Sequence, residues 1–256
     1  MSRKQQLLQE EGFLIVREGV LSSQEVQRAL EEISAIIHGR VPYAEKIMVQ
    51  VEPAVQKGIR EAPSREWAVR KLMSYVPHSP ILTEIARHPK IAALLRELLA
   101  EDVKLLQDMA MLKPPQVGSP KTWHQDCAYF PIEPPRVLGF WIALDQATRE
   151  NGCMEVIPGT HREPIPHETI VEDAFPDYGI PKDHPVFQRT AVAVELEPGD
   201  ALVFDGLLVH GTGPNRSDRP RRALQLHYVN ARCRYTGRNR PPELLQIIGR
   251  SYEGCV

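Results

Sequence analysis

The sequence predicts a mainly β protein in which a helical N-terminal layer supports a C-terminal sandwich or barrel. Apolar residues in the first hundred positions recur at helical spacing, whereas from about residue 104 they fall in short β-type runs. Turn signals such as Pro198-Gly199-Asp200 and Asp205-Gly206 separate those runs, and most of the 23 prolines lie there or just before, as connectors. No linker-like stretch divides the chain. One domain over 1–256 is therefore expected, with helical support mainly in 1–103, the barrel mainly in 104–230 and a C-terminal extension in 231–256.

Residues 3–10 read as a short helix ended by Gly12, and Phe13–Val16 as a strand. Ser22-Ser23-Gln24-Glu25 offers an N-cap, after which Val26, Leu30, Ile33 and Ile37 follow helical spacing to about residue 38. Residues 41–62, with Pro42 and Pro53, read as a loop with strand fragments. Trp67, Val69, Leu72 and Tyr75 give helical spacing over 64–76, and a second such stretch covers 80–100 with a break near Pro89. Strands are then expected at 104–113, 122–130, 137–145, 153–157, 191–196, 201–205, 207–210 and 222–229.

Hydrophobic residues at 42% and charged residues at 25% exclude disorder and fibrous structure. A net charge of −2 gives no reason to expect nucleic acid or an anionic membrane as partner. No apolar run approaches the ~20 residues that span a bilayer, and the opening Met-Ser-Arg-Lys-Gln-Gln lacks the apolar stretch of a signal peptide. Cys127, Cys153, Cys233 and Cys255 are far apart and form no CxxC pair, which argues against structural zinc and a disulfide framework and makes a reducing cytoplasm the expected setting. Arginines cluster between Arg216 and Arg240, a run read as a solvated face with an anion site as the alternative.

Thr122-Trp123-His124-Gln125-Asp126 places an imidazole and a carboxylate two residues apart, on one side of an extended strand. Alone, a His-x-Asp is weak, because a lone histidine is more often structural. Leu208-Val209-His210-Gly211-Thr212 supplies a third ligand after another strand. Two histidines and one carboxylate leave adjacent positions open on an octahedral ion, the arrangement suited to non-haem Fe(II). Such a site needs a clamp if 2-oxoglutarate is to lie in it, and arginine pairs best with the far carboxylate. Arg221 stands eleven residues beyond His210, and Thr212 falls on the side of His210. If Arg221 faces inward, alternation turns Arg222 away and brings Ala223, Gln225 and His227 in.

An ordered set of segments resembles the phytanoyl-CoA dioxygenase family of iron(II)- and 2-oxoglutarate-dependent oxygenases. It comprises Gln107-Asp108-Met109, Lys113-Pro114-Pro115, His124-Gln125-Asp126, Val137 to Leu144, Asn151-Gly152-Cys153-Met154, Ile157-Pro158-Gly159-Thr160-His161, His210 to Asn215 and Arg221-Arg222-Ala223, within about residues 10–230. The resemblance implies a double-stranded β-helix, the cupin-like jelly-roll barrel, with Fe(II), 2-oxoglutarate and O2 as cofactor and co-substrates. It implies His124, Asp126 and His210 as metal ligands, and Arg221 and Thr212 as binders of the distal 2-oxoglutarate carboxylate. Met109 and Trp141 are implied as pocket lining, and Lys71 and Gln107 as further contacts. Family halogenases carry a small residue in place of the carboxylate ligand, so Asp126 favours hydroxylation of a small-molecule substrate, with release of succinate and CO2. Members often carry serine where Thr212 stands, which keeps the hydroxyl.

Other residues are read as structural or peripheral. His161 shapes a loop, His227 is a buried hydrogen-bonded residue, and Asn151-Gly152 is a turn. His167 and His184 sit in an insert, 162–190, that overhangs the site. Tyr129 and Phe130 wall the substrate pocket or pack in the core. Two rival functions remain in view, a catalytically silent metabolite-binding barrel and a zinc hydrolase or isomerase on the same His/Asp/His set.

Overall fold

The computed structural model describes residues 1–17, 19–172, 175–238 and 243–256. Arg240, at the end of the arginine run, lies outside them. Among the described residues there are five α-helices, α1 (Arg3–Glu11), α2 (Ser23–Ile37), α3 (Pro53–Gln56), α4 (Pro80–Ala86) and α5 (Pro89–Leu98). The strands are β1 (Phe13–Val16), β2 (Met48–Val51), β3 (Val69–Met73), β4 (Val103–Lys113), β5 (Lys121–His124), β6 (Ile132–Glu133), β7 (Val137–Ala143) and β8 (Met154–Val156). They continue as β9 (Glu168–Glu172), β10 (Phe175–Gly179), β11 (Val192–Val194), β12 (Ala201–Asp205), β13 (His210–Thr212), β14 (Arg221–Asn230), β15 (Arg234–Tyr235) and β16 (Leu245–Ile248). No helix among the described residues is long and apolar enough to cross a membrane.

The helices start where their caps dictate. Ser2 and Ser22 each form a reciprocal capping box with the residue three further on, Gln5 and Glu25, satisfying backbone N–H groups that open a helix without partners. Proline opens both α4 and α5, where its missing N–H costs nothing. The apolar stripe of α2 (Val26, Ala29, Ile33, Ile36 and Ile37) is buried, and so are Leu82 and Ile85 of α4 and Ile91, Leu94 and Leu95 of α5.

These stripes cover the outer face of an antiparallel sheet ordered β1-β12-β7-β14-β4-β3-β2, contributing Leu72, Ala110, Leu112, Phe140, Ile142, Leu224, Leu226 and Tyr228 to one core. A second sheet, β11-β8-β13-β5, closes over the other face. Between the sheets lie Trp141, Ala143, Met154, Val156, Leu202, Phe204 and Ala223. Every one of these seven alternates along its strand with residues of the outer face or solvent side, the period-two pattern of a barrel wall. The fold is the mainly β double-stranded β-helix. At Gly139 the barrel is so tight that an added Cβ would stand 2.5 Å from the Phe204 ring, a ring that itself packs edge-on against His210 at 4.9 Å.

Two expectations need correction. Residues 64–76 are not a helix: a single 3-10 turn (Glu66–Ala68) leads into β3. The β2–β3 register shifts between Gln50, opposite Lys71, and Val51, opposite Val69, leaving Arg70 as the extra residue of a bulge. That extra residue turns the two-residue alternation into a three-residue step between buried Val69 and Leu72, which mimics helical spacing. β1, where a strand was expected, and β2, within the expected strand fragments, join the main sheet together with β3. The second correction concerns the strands that carry the metal ligands and is taken up with the site. Beyond residue 230, β16 pairs with Val103–Leu105 of β4, along the part of that edge β3 leaves free.

Candidate active site

The strand expected over 122–130 ends at His124. Gln125 stays extended, and Asp126 opens a 3-10 turn, Asp126–Tyr129, drawn off the sheet by the bond from Cys127 N–H to the Gly206 carbonyl at 2.8 Å. Likewise His210 starts β13 rather than ending a strand over 207–210, because Leu208 N–H turns back to the Asp205 carbonyl at 2.8 Å. The hydrophobic runs hid both turns, since Leu207, Leu208 and Val209 read as a strand whether or not the backbone is extended.

His124 and His210 face one another directly across the β5–β13 pair. One ligand atom from each of His124, Asp126 and His210 lies within 4.8 Å of the other two. Asp126 Oδ1 stands 3.3 Å from His124 Nε2 and 3.6 Å from His210 Nε2. The Nδ1 atoms of His124 and His210 sit 2.7 and 2.9 Å from the carbonyls of Thr122 and Leu208. A carbonyl only accepts, so each Nδ1 carries the proton and each Nε2 offers its lone pair to the cluster. Burial lowers the His210 pKa to about 4 against the pull of Asp126, which keeps this imidazole neutral and able to ligate at physiological pH. Burial pushes the Asp126 carboxyl up, but His227 and His210 outweigh it and hold it well below the usual range. Two neutral imidazoles and an ionised carboxylate are a donor set that fits Fe(II).

Arg221 opens β14 and is 2% exposed. Its guanidinium donates to the Met111 carbonyl at 3.2 Å and lies 5.3 Å above the Trp141 ring, while its buried Nε has no partner. Among the described residues it forms no ion pair, and burial lowers its pKa to about 10. A buried guanidinium left with an unmatched donor fits a carboxylate arriving from outside the chain, as the far end of 2-oxoglutarate would. Arg222 points the other way and grips Asp145 with Nε and an Nη, both at 2.8 Å.

The inner face of the main sheet is laid out in rows by the register. Lys71, Met111, Ala223 and Ala143 form one row, and Met73, Met109, Gln225 and Trp141 the next. Gln107, His227 and Gly139 form the third. Thr212 stands opposite Lys121 on the second sheet. Met109, Trp141, Lys71 and Gln107 therefore share the face of Arg221. The strongest electrostatic neighbours of Lys71, however, are Arg70 and Lys121 rather than Arg221.

His227 is the residue that sequence reasoning placed inward without giving it a role at the metal. It is 1% exposed and its Nε2 lies 2.7 Å from Asp126 Oδ2, so it donates to the carboxylate oxygen turned away from the two histidines. Its even spacing from Arg221 along β14 was the available signal. The Gln225 amide stands 3.0 Å from the same nitrogen, and Phe130 packs edge-on against the ring at 5.1 Å. His227→Phe is expected to lower metal affinity about 10–100-fold, the usual effect of losing a partner behind a ligand. Equilibrium dialysis of Co(II) against wild type and variant checks this, with an unchanged affinity counting against it.

The remaining candidates are structural. His161 contacts the Gln9 carbonyl, His184 caps the turn at Val186, and His167 accepts the N–H of Gln125 at 2.9 Å. Gln125, between two ligands, points outward, ties the insert down through Glu163 and Ile165, and donates to the Leu207 carbonyl. Asn151 bonds Thr148 and Gln146 within its turn. Tyr129 stays 41% exposed at the mouth of the site, whereas Phe130 packs inward. Two of the C-terminal arginines are engaged with their own surroundings, Arg219 with Gln146 and Arg232 with Tyr252.

The family model for Phytanoyl-CoA dioxygenase (PhyH) matches residues 8–223. The chain belongs to the phytanoyl-CoA dioxygenase family. It is accordingly an enzyme, an iron- and 2-oxoglutarate-dependent dioxygenase. Relatives within the family include a probable phytanoyl-CoA dioxygenase of Caenorhabditis elegans, 29% identical over 91% of this chain and 77% of that protein. The peroxisomal phytanoyl-CoA dioxygenase of Rattus norvegicus is 30% identical over 95% of this chain and 74% of that one. Among solved structures, EctD from S. alaskensis with bound Fe superposes with a TM-score of 0.74 at 22% identity, covering 96% of this chain and 86% of EctD. The epimerase SnoN from nogalamycin biosynthesis gives 0.72 at 24% identity, over 92% and 85%. These two likenesses bear on the fold, the same jelly-roll barrel.

Proposed function

We propose that the chain, acting as one domain, hydroxylates a small organic metabolite. In this reading His124, Asp126 and His210 hold the iron, and Arg221 with Thr212 holds the distal carboxylate of 2-oxoglutarate. Met109 and Trp141 line that pocket, and Lys71 and Gln107 contribute further contacts. The single observation that carries it is the buried Arg221 guanidinium without a carboxylate partner, on the same barrel interior as a complete His/Asp/His donor set.

Iron, when bound, supplies the O2 activation that couples decarboxylation of 2-oxoglutarate to oxidation of a C–H bond. The chain's residues do the rest. The Thr122 and Leu208 carbonyls fix the tautomers of the two histidines, and His227 occupies Asp126 Oδ2 so that Oδ1 faces the ligand cluster. The wall of Trp141, Phe204 and Val156 excludes water from the interior. The insert hairpin β9–β10 covers the metal strand, with Ile180 N–H bonded to the Trp123 carbonyl at 2.9 Å. Four free cysteines, two of them buried, support a reducing setting, for which the cytoplasm is the compartment proposed.

A succinate-release screen with Fe(II), 2-oxoglutarate and a metabolite panel tests the reading. Substrate-stimulated succinate, blocked by N-oxalylglycine, is the expected result. Turnover supported by Zn(II) without 2-oxoglutarate would instead favour the hydrolase or isomerase alternative, and no succinate under any condition the silent barrel.

A further inference from the structure

Three segments outside the metal cluster, Lys113-Pro114-Pro115, Asn151-Gly152 and Gly213-Pro214-Asn215, meet around the side chain of Lys113. Lys113 ends β4 and is 5% exposed. It stands directly opposite Arg221 in the β4–β14 register, so the two side chains rise from one face of the sheet. Glycines make room for it. A Cβ on Gly118 would stand 2.8 Å from Lys113 Cβ, and one on Gly152 would stand 2.9 Å from its Cδ. The amine then donates to the Gly213 carbonyl at 2.7 Å and to the Ser119 carbonyl. The Asn215 amide donates back to the Lys113 carbonyl at 2.9 Å.

Among the described residues the Lys113 amine bonds carbonyls and no carboxylate. Glu52, the acidic group that acts on it, is taken up by the Ser119 N–H and hydroxyl. Burial, with the guanidiniums of Arg221 and Arg70, pushes the lysine pKa well below its usual value. Two acceptors match the two N–H bonds of an uncharged amine. The lysine can therefore hold both carbonyls without setting a second full charge beside Arg221.

Gly213 directly follows Thr212, the end of β13. Thr212 stands opposite Met154, whose side chain lies between the two sheets, so its own side chain faces the same interior. On its other side this end of β13 is less regularly held. The β5–β13 register slips between His210, opposite His124, and Thr212, opposite Lys121. The bond from Lys113 ties that end to β4. Arg221 rests on the same strand, through its bond to the Met111 carbonyl at 3.2 Å. One strand thus supports both groups of the carboxylate clamp.

We propose that Lys113 is a positioning residue for 2-oxoglutarate: through Gly213 it sets the Thr212 hydroxyl at the distance from Arg221 that one carboxylate spans. The proposal rests on the oxygenase reading above and goes beyond it by giving the clamp a support behind its two groups.

The test is a cycle of Lys113→Met, Thr212→Val and the double variant, read by anaerobic calorimetric titration of 2-oxoglutarate into the Fe(II)-loaded protein. Lys113→Met keeps the stem and removes both donors. Each single variant is expected to bind 2-oxoglutarate several-fold to about tenfold more weakly, as the loss of one hydrogen bond implies. The double variant should bind no more weakly than the weaker single one, because both changes act through the same hydroxyl. Co(II) affinity, measured by equilibrium dialysis, should be unchanged in Lys113→Met, since the Thr122 and Leu208 carbonyls hold the two imidazoles. Additive losses in the double variant overturn the proposal. So does a Lys113→Met or Thr212→Val variant that binds 2-oxoglutarate as the wild type does, or an equal fall in Co(II) affinity. Lys113→Gln keeps an N–H donor pair on a shorter stem and replaces Lys113→Met in the cycle if that variant does not fold. Failure of both to fold makes the lysine structural and likewise overturns the proposal. A wild type that takes up no 2-oxoglutarate contradicts the oxygenase reading itself, whereas a loss in Arg221→Met with none in Lys113→Met contradicts the lysine's role alone.

Discussion

Asp126→Ala is expected to abolish turnover and to reduce iron binding below what the two histidines retain alone. The carboxylate does two jobs in the geometry. Its Oδ1 completes the donor set with His124 and His210, and its Oδ2 accepts from the buried His227. Removing it deletes one of three ligands and strands the His227 donor in a site 1% exposed, a penalty of about 1–3 kcal/mol by itself. Asp126→Asn separates the two effects, because an amide keeps the shape and one acceptor while losing the charge. Near-normal succinate production by Asp126→Ala would remove the triad assignment, whereas a deficit in both variants matched by a loss of bound metal agrees with it.

Arg221→Met should change two measurements in opposite directions. The ligand-free chain keeps a guanidinium in a site 2% exposed with no ion pair among the described residues, one carbonyl bond and a stacked indole as its support. A buried charge so poorly compensated destabilises the fold, and an apolar side chain of similar length is neutral or stabilising in such positions. The ligand-free variant is therefore expected to melt at the same or a higher temperature than wild type. Its 2-oxoglutarate requirement should rise by about one to two orders of magnitude, from the 1.5–3 kcal/mol of a charged hydrogen bond. Thermal melts with and without 2-oxoglutarate read both effects. A variant that melts lower but binds 2-oxoglutarate normally would make Arg221 a structural residue and leave the clamp elsewhere. Arg222 is poorly placed for that role, since Asp145 already occupies it.

Both variants probe features that were legible in the sequence to different depths. The inward set Arg221, Ala223, Gln225 and His227 could be read from alternation alone, because β14 runs straight through ten residues. The metal strand could not be read this way. His124 and Asp126 share a side although the strand stops between them, since Gln125 stays extended for one more residue before the turn. The helix expected over 64–76 failed for a related reason. A bulge at Arg70 broke the period of two that identifies a strand, and Lys71 reached the barrel interior only because of it. The capping boxes at Ser2 and Ser22 lie within single short segments, so the starts of α1 and α2 were accessible. What escaped were contacts between segments far apart in sequence, such as His227 on Asp126 or Asp177 on Lys121. No local pattern records a partner 56 or 101 residues away.

The central claim is that one interior site holds iron through the triad and 2-oxoglutarate through Arg221 at the same time. Anaerobic calorimetric titration of 2-oxoglutarate into the Fe(II)-loaded chain tests it most directly. The account predicts one binding site per chain, weakened when the metal is withheld, in Asp126→Ala and in Arg221→Met alike. Binding of 2-oxoglutarate with the same affinity to the metal-free wild-type chain would contradict it.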